Sequence, residues 1–368
     1  MRQRVLVVAI LAVACDGTPA RGQGGGGGQP RSDDALRVPP GFKIAAYAEN
    51  LQGVRFMTLG PGNAIYASQP GPGVIVKLTD ANHDGVVDSV VTVASGLKGP
   101  FGIAFRGDTM YVAEEHEFVR FDPGARTPVR MMGLPTGGHS TRTIVFGPDG
   151  KLYLAVGSSC NLCDEGKDSM RAAVTQLNAD GSGVRIFAKG LRNTVGMAFN
   201  PKTGELWGGN NDRDNLGDDV PPEHINIIKD GRNYGWPQCY LPGKPNPEYG
   251  SANCSNVEPP AITVQAHSAP LGLAFYTGTQ FPRDYRGDAF VTLHGSWNRT
   301  VPTGAKVVRI RVDSSGRRAV GVEEFINGWQ RPDGTRWGRP VGLLVLPDGS
   351  LLVSDDYGGK IWRVTYGR

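Results

Sequence analysis

The chain has 368 residues, among them 53 glycines and 27 prolines, and a formal net charge of +4. So many glycines and prolines argue against long helices and favour short strands joined by tight turns. The small net charge, without any run of lysine and arginine, argues against a nucleic-acid partner.

The N-terminus predicts an export signal over residues 1–14. Arg2 and Arg4 precede an apolar run that ends in the sequence AVA, directly before Cys15. The run is too short to span a membrane. Small residues before the cleavage point suit ordinary signal peptidase, whereas a cysteine after it suits lipidation, and both remain open. We expect an exported, periplasmic protein whose membrane contact, if any, is a lipid on Cys15.

Residues 15–36 predict a flexible tether that precedes a folded domain at residues 37–368. The run from Gly24 to Gly28 consists of glycine alone, and glycine-rich linkers behave as flexible coils. A tether of this kind suits an anchored protein.

Four further cysteines form two local pairs, Cys160 with Cys163 and Cys239 with Cys254. Export permits disulfides, although C-x-x-C is also a zinc-ligand spacing. Neither pair is accompanied by a second such motif or by paired histidines. The pattern therefore favours two disulfides that close loops.

From residue 54 onward the sequence repeats an apolar strand, a turn and a second apolar strand. Six copies occur, at residues 54–69, 100–115, 141–159, 193–211, 270–297 and 339–356. Pro-Asp-Gly in the third and last copies is a hairpin-turn signal, and several copies end in a third strand. Units of three or four strands, roughly 45 residues apart, are typical of propeller blades. Because a β-sandwich would not explain six copies, the sequence predicts an all-β, six-bladed β-propeller.

The propeller predicts where a site should lie. In each blade the first strand leaves, and the second returns to, the same face of the disc beside the central channel. Residues just before each first strand and just after each second strand should therefore meet there. They include Arg55, His139, Arg192, Asn193, Arg339, Gln69, Glu114, Ser158, residues 210–213, His294 and Asp355.

Two kinds of side chain on this face suggest chemistry. His139 precedes an inner strand, and imidazole can act as a general base near neutral pH; a histidine that merely bonds a loop carbonyl is the alternative. His294 has a comparable loop position, whereas His116 and His224 look peripheral. Arg192 with Asn193 offers a planar fork for carboxylate or quinone oxygens, with a surface ion pair as the alternative.

Residues 80–88 follow the first half of an EF-hand calcium loop, with oxygen ligands at alternate positions and a glycine at the sixth. The predicted ligands are Asp80, Asn82, Asp84, Val86 and Asp88. Val91 stands where the full motif has a glutamate, and a turn stabilised by its own Asx hydrogen bonds is the alternative. We expect a structural calcium ion between two blades.

Five sequence segments, taken in their order along the chain, resemble the soluble PQQ-dependent sugar dehydrogenases, closest to the sorbosone and aldose dehydrogenase branch. They are GHSTRTIVFGPDGKLYLAVGS, GLRNTVGMAF, NNDRDNLGDDVPPEHINIIKDGRNYGWP, LHGSWNRT and GRPVGLLVLPDGSLLVSDDYGGKIWRV. The likeness runs from about Val38 to the C-terminus. It implies a propeller that binds pyrroloquinoline quinone (PQQ) and calcium over the channel and oxidises an aldose or related sugar by hydride transfer to the quinone. Electrons would then pass to a quinone or a cytochrome.

The resemblance also assigns residues by position. It implies that His139 is the general base and that Arg192 and Asn193 contact the quinone side of PQQ. Arg339 would bind a PQQ carboxylate, with His294 beside the cofactor. The backbone carbonyls of Asp212 and Arg213 are implied as calcium ligands, with calcium acting as a Lewis acid.

Three departures from the family pattern argue against glucose as the substrate. Ser158 stands in place of an acidic residue near the substrate, no glutamine lies near Lys98-Gly99, and Asp212-Arg213 replaces a Gly-Pro pair. A calcium-dependent lactonase-type hydrolase, with Glu114, Asn210 and Asp355 as metal ligands, and a non-catalytic binding propeller remain alternatives.

Overall fold

Six four-stranded antiparallel sheets make up almost all the regular structure in the computed structural model, which describes residues 34–367. These sheets are the blades of an all-β propeller, so the predicted fold is confirmed. The export signal, Cys15 and most of the tether lie outside the described residues. Within the described part of the tether, Asp34 accepts hydrogen bonds from Arg331, in the loop between the fifth and sixth blades.

Each blade is a meander whose strands follow chain order from the channel outward, except that the last blade takes its outer strand, β1 (Phe42–Ala48), from the start of the domain. Blade 1 contains β2 (Met57–Leu59), β3 (Ile65–Gln69), β4 (Val74–Thr79) and β5 (Ser89–Ala94). Blade 2 contains β6 (Gly102–Arg106), β7 (Thr109–Ala113), β8 (Glu117–Phe121) and β9 (Val129–Gly133). Blade 3 contains β10 (Arg142–Phe146), β11 (Leu152–Val156), β12 (Ala173–Leu177) and β13 (Arg185–Lys189).

The remaining blades carry the longer insertions. Blade 4 contains β14 (Thr194–Phe199), β15 (Leu206–Asn210), β16 (Glu223–Ile228), an inserted hairpin of β17 (Cys239–Leu241) and β18 (Lys244–Pro245), and β19 (Ile262–Val264). Blade 5 contains β20 (Pro270–Phe275), β21 (Ala289–Leu293), β22 (Lys306–Val312) and β23 (Ala319–Ile326). Blade 6 contains β24 (Pro340–Val345), β25 (Leu351–Asp355), β26 (Lys360–Tyr366) and β1. Single 3-10 turns lie at Pro61–Asn63, Pro247–Tyr249 and Arg283–Tyr285.

The ring closes through both ends of the described chain. The first strands of neighbouring blades contact one another all the way round, including β2 with β24. β1 pairs antiparallel with β26, from Phe42 opposite Tyr366 to Ala48 opposite Ile361. Because each blade must bury its faces against two neighbours, this shared last blade leaves no open end to the ring.

The Pro-Asp-Gly turns join first and second strands as predicted. At the third copy, the Gly147 N–H donates to the Lys151 carbonyl at 2.8 Å, and Gly150 has φ +74°. A residue with a Cβ is strained at such a φ, which is why glycine ends this turn.

Hydrophobic cores lie between neighbouring blades. In one of them, Trp207 of blade 4 is fully buried and its ring meets that of Phe275 of blade 5 edge-on, with centroids 5.4 Å apart. Fully burying one large apolar side chain contributes about 1.5–3 kcal/mol, so interfaces of this kind hold the blades in place and fix the positions of the loops above them.

Both cysteine pairs form disulfides, Cys160–Cys163 and Cys239–Cys254, as predicted. The zinc alternative fails because its thiolates are used in these bonds. No helix among residues 34–367 is long and apolar enough to cross a membrane.

Candidate active site

Two clusters of polar side chains lie on the face of the propeller that the repeat predicted as the functional one. One lies over blades 3 and 4 and contains His139, Ser158, Arg192 and Asn193. The other joins blades 5, 6 and 1.

His139 is fixed by its own blade with one ring nitrogen left free. Its Nδ1 lies 3.0 Å from the Ser158 carbonyl oxygen, and the Ser158 hydroxyl donates to the Cys160 carbonyl at 2.7 Å. The proton therefore sits on Nδ1, which leaves the lone pair on Nε2. No group within residues 34–367 hydrogen-bonds to Nε2.

The surroundings of His139 keep its ring neutral. Burial, followed by the positive charge of Arg192, lowers its pKa to about 3, and Arg142 and Arg171 act in the same direction. A general base must be unprotonated, and this ring is neutral with Nε2 free, but so low a pKa makes it a weak base unless an anionic ligand nearby raises the pKa. The simpler alternative, a loop histidine bonded to a carbonyl, accounts for Nδ1 alone.

Two arginines that the sequence analysis passed over hold the His139 loop. Arg142 is fully buried and donates to the carbonyls of His139 and Pro135, both at 2.6 Å. Arg171 donates to the carbonyls of Thr136 and Gly157. The positions of Arg142 and Arg171 beside or within strands did not predict this role, because both side chains donate to backbone carbonyls of a neighbouring loop.

Arg192 reaches this face, but the protein uses all of its hydrogen-bond donors. Nε and Nη2 donate to the backbone carbonyl and side-chain oxygen of Asn161, at 3.0 and 2.9 Å. Nη1 donates to the carbonyls of Asp212 and Asn211, and Nη2 also lies 3.4 Å from an Asp214 oxygen. A guanidinium group has five N–H donors, so Arg192 presents a fixed positive charge rather than a free fork.

Asn193 has the opposite character. Its side chain is buried, and its Oδ1 has no hydrogen-bond partner within the described chain. Gly157 lies directly beside it, and a Cβ there would stand 2.5 Å from Oδ1. The glycine thus leaves room for the Asn193 side chain beside the His139 loop.

The second cluster is a chain of charges. Arg339 Nη2 donates to His294 Nδ1 at 2.5 Å, and His294 Nε2 donates to Asp356 at 3.1 Å. Arg55 donates to the same carboxylate at 2.9 Å. Burial lowers the pKa of His294 to about 4, partly offset by Asp356. With both ring nitrogens engaged, His294 lacks the free lone pair that His139 has.

This second cluster fits an anionic ligand. The Nε atoms of Arg339 and Arg55 are buried and have no partner within residues 34–367. A cleft of about 250 Å³ opens beside Arg339 and Tyr357. Arg339 lines this cleft, so its positive charge is available to a ligand there. A planar group with several carboxylates, as PQQ is, would suit that charge.

The residues implied as catalytic-calcium ligands are engaged otherwise. The Asp212 carbonyl accepts from Arg192 Nη1 at 2.6 Å, so a cation at that oxygen would face a guanidinium group. The Arg213 side chain pairs with Glu248 at 2.6 Å. The sequence predicted a peripheral position for His224. Its ring is instead buried and lies 3.7 Å from the Asp212 carboxylate. The Asp212 carbonyl therefore does not fit a calcium ion without rearrangement.

The loop at residues 80–88 offers less than a complete calcium site. Backbone N–H groups donate to the side chains of Asn82, Asp84 and Asp88, the Asx arrangement given as the alternative. Asp80 Oδ1 is nevertheless buried and unpaired. Across residues 34–367, no group of three or more His, Cys, Asp or Glu side chains is placed to hold a metal ion. Calcium at this loop stays a prediction.

The ligand set of the hydrolase alternative does not assemble. The Glu114 carboxylate accepts the Lys98 N–H, and Asn210 Oδ1 accepts the Asn193 N–H. Asp355 is fully buried, and its oxygens accept bonds from its own blade, including the Arg339 N–H at 2.7 Å. Each group therefore supports its own loop.

One exposed aromatic side chain at this face also went unnoticed. Trp297 is 71% exposed and sits on a loop that is well anchored on both sides. Asn298 donates to Asp214 at 2.9 Å, and Thr300 N–H donates to the Asp218 carboxylate at 3.1 Å. Its position just after LHGS, at the end of a second strand, was the available signal.

Comparisons with known proteins identify the family. Residues 129–331 match the protein-family profile described as glucose / sorbosone dehydrogenase. An uncharacterized protein of Borreliella burgdorferi is 32% identical over 355 residues, which cover 90% of this chain and 91% of that protein. A pyrroloquinoline quinone-dependent pyranose dehydrogenase of Coprinopsis cinerea is 25% identical over 96% of this chain. The chain spans 56% of that enzyme's length.

Solved structures share the fold. The PQQ domain of the Coprinopsis cinerea pyranose dehydrogenase, in its holo form, has a TM-score of 0.77 at 24% identity, over 91% of this chain and 98% of that domain. A calcium structure of a Trichoderma reesei protein of carbohydrate-active enzyme family AA12 has a TM-score of 0.78 at 21% identity, over 92% of this chain and 99% of that one.

Proposed function

The chain belongs to the glucose/sorbosone dehydrogenase family, and on that premise we propose that it oxidises an aldose or a related sugar with PQQ as the hydride acceptor. The observation that carries the proposal is His139, a neutral imidazole with a free Nε2 that lies among buried cations. That arrangement suits proton removal from a sugar hydroxyl beside an anionic cofactor. The Coprinopsis cinerea relative, named as a PQQ-dependent enzyme, supports the choice of cofactor.

Each residue of the site has a distinct role in the proposed oxidation. His139 Nε2 takes the hydroxyl proton, while the Nδ1 bond to Ser158 fixes the ring and its tautomer. Arg339, which lines the cleft, binds a carboxylate, and Arg55 adds a second positive charge on the other side of Asp356. Arg192 contributes a fixed positive charge close to His139. PQQ, when bound, supplies the ortho-quinone that receives the hydride.

We propose that the sugar enters beside Trp297. An aromatic face that stays exposed on an anchored loop can pack against the apolar face of a sugar ring. The serine at position 158, in place of an acidic residue, makes glucose a poorer candidate than other aldoses or sorbosone-type sugars.

Calcium is proposed at the loop of residues 80–88, where the buried, unpaired Asp80 oxygen favours a cation. The Trichoderma reesei structure, described as a calcium structure, is consistent with a calcium-binding propeller. Calcium at Asp212 and Arg213 has no part in the proposed reaction, because the Asp212 carbonyl accepts a hydrogen bond from Arg192.

Export to the periplasm and electron transfer to a quinone or cytochrome complete the proposal. The basic and apolar start of the sequence, ending before Cys15, supports export. Mass spectrometry of the mature N-terminus distinguishes a free Cys15, a lipidated Cys15 and an uncleaved chain.

Reconstitution tests the proposed function. Purified protein is incubated with PQQ, with and without Ca²⁺, and dye reduction is followed with a panel of aldoses, sorbosone-type sugars and glucose. We expect PQQ-dependent dye reduction and a quinone absorbance that stays with the protein through gel filtration. Neither signal with any sugar would refute the proposal, and lactone hydrolysis with metal alone would favour the hydrolase instead.

A further inference from the structure

Asn161 makes the densest set of contacts with Arg192. Its backbone carbonyl accepts from Arg192 Nε, and its Oδ1 accepts from Nη2, at 3.0 and 2.9 Å. The same Oδ1 accepts the Asp214 N–H at 2.8 Å, while Nδ2 donates to the Asp214 carbonyl at 3.1 Å. One side chain of blade 3 thus holds both an arginine and a loop of blade 4.

The Cys160–Cys163 disulfide encloses Asn161. Bridged cysteines three residues apart leave the two residues between them little conformational freedom. The Cys160 carbonyl accepts the Ser158 hydroxyl, and the Ser158 carbonyl faces His139 Nδ1. The same short loop therefore carries a partner of the base and the main partner of Arg192.

The restraint of Arg192 by the Cys160–Cys163 loop matters for cofactor binding, because Arg192 has no hydrogen-bond donor left for a ligand. It can act on a cofactor only through the place and orientation of its charge. A charge that is fixed before the ligand arrives needs no reorganisation when negative charge develops. Buried to 4% exposure, Arg192 also depends on Asn161 for two of the bonds that offset the loss of hydration.

We propose that Asn161, held by the Cys160–Cys163 disulfide, is a positioning residue that fixes the Arg192 charge for PQQ. The proposal rests on the proposed function, since it concerns the same cofactor. It assigns to the disulfide loop a role in the site rather than in the stability of the propeller alone.

Equilibrium titration with PQQ, followed by quenching of protein fluorescence, tests the proposal. Asn161→Ala keeps the backbone carbonyl and removes the Oδ1 bond to Arg192. It should weaken PQQ binding about 10- to 100-fold, the range for one lost hydrogen bond to a charged group. The matched control is Asn178→Ala in the same blade, whose side chain also bonds Lys151 and Ser182 but at the opposite end of β12. The control should bind PQQ like the wild type.

A double-mutant cycle separates positioning from general structural support. If Asn161 acts through Arg192, Asn161→Ala should add little to the affinity loss of Arg192→Ala. Additive losses would overturn the proposal, and so would wild-type affinity in Asn161→Ala. If that variant does not fold, Cys160→Ser with Cys163→Ser gives the same test, because it leaves Asn161 in place and should still weaken PQQ binding. Wild-type affinity in the cysteine variant would refute the role of the disulfide.

The same titration distinguishes the two proposals. A wild-type protein that binds no PQQ removes the proposed function. A wild-type protein that binds PQQ, beside an Asn161→Ala variant that binds it equally well, removes only the positioning role.

Discussion

The neutral His139 ring makes the stability of the cofactor-free protein depend on acid pH. The pKa of His139 is lowered to about 3 in the folded chain, first by burial and then by Arg192, whereas a histidine in an unfolded chain titrates near 6.5. Between these values the unfolded state binds a proton that the folded state does not. The contribution of His139 to stability is therefore present above about pH 6.5 and is lost as the pH falls toward 3.

The size of this effect follows from the two pKa values. Each pH unit between them removes up to about 1.4 kcal/mol, so lowering the pH from 6.5 to 4.5 costs roughly 2 kcal/mol through this one group. Total stabilities of about 5–15 kcal/mol make such a change measurable.

His139→Gln tests the reasoning, because glutamine can still donate to the Ser158 carbonyl but does not titrate. Urea unfolding of both cofactor-free proteins at pH 7.5, 6.5, 5.5 and 4.5 gives their free energies of unfolding. We expect the variant to gain about 2 kcal/mol relative to the wild type on acidification, while carboxylates and His294 cancel in the difference. A difference in the free energy of unfolding between variant and wild type that stays constant from pH 7.5 to 4.5 would show that the His139 ring is not held neutral.

Four variants probe the site further. His139→Ala should lower turnover about 10²- to 10⁴-fold at saturating PQQ while leaving PQQ affinity within a few-fold; equal losses in turnover and affinity would contradict its role as base. Arg339→Ala should weaken PQQ binding about 10- to 100-fold in the same titration, because it removes a half-buried cation that lines the cleft; unchanged affinity would place the carboxylates elsewhere. Gly157→Ala should destabilise the protein by about 1–3 kcal/mol in urea unfolding and lower turnover, because its Cβ would stand 2.5 Å from Asn193 Oδ1; wild-type turnover would argue against a tight fit at that atom. Trp297→Ala should raise KM for the sugar about 2- to 10-fold and leave PQQ affinity unchanged, whereas an unchanged KM for every sugar would remove it from the substrate path.

The sequence was informative wherever structure repeats. Six copies of one repeated segment predicted the blades, and the chain reversal in each blade predicted that His139 and Arg192 would lie close together. The outer strand β1 was missed because its partner β26 lies at the other end of the chain, and strand alternation does not name a partner.

The polar contacts of the site could not be predicted in the same way. Arg142 and Asn161 act on backbone atoms of other loops, and no spacing rule connects them to those atoms. The spacing at residues 80–88 predicts a calcium loop, yet most of its side-chain oxygens accept local N–H groups. Local spacing shows which atoms are available, whereas the fold decides which of them stay free.

The seam between the first and last blades passes through the proposed cofactor site. Arg55 of blade 1 and Asp356 of blade 6 share an ion pair across 301 positions of sequence, beside the seam that β1 and β26 close. A ligand bound to Arg55 and Arg339 together would contact both sides of it. Cofactor binding and ring closure are then thermodynamically linked, so each stabilises the other. The interface between blades 1 and 6, at which the propeller could open, is therefore also the one that a bound ligand would stabilise.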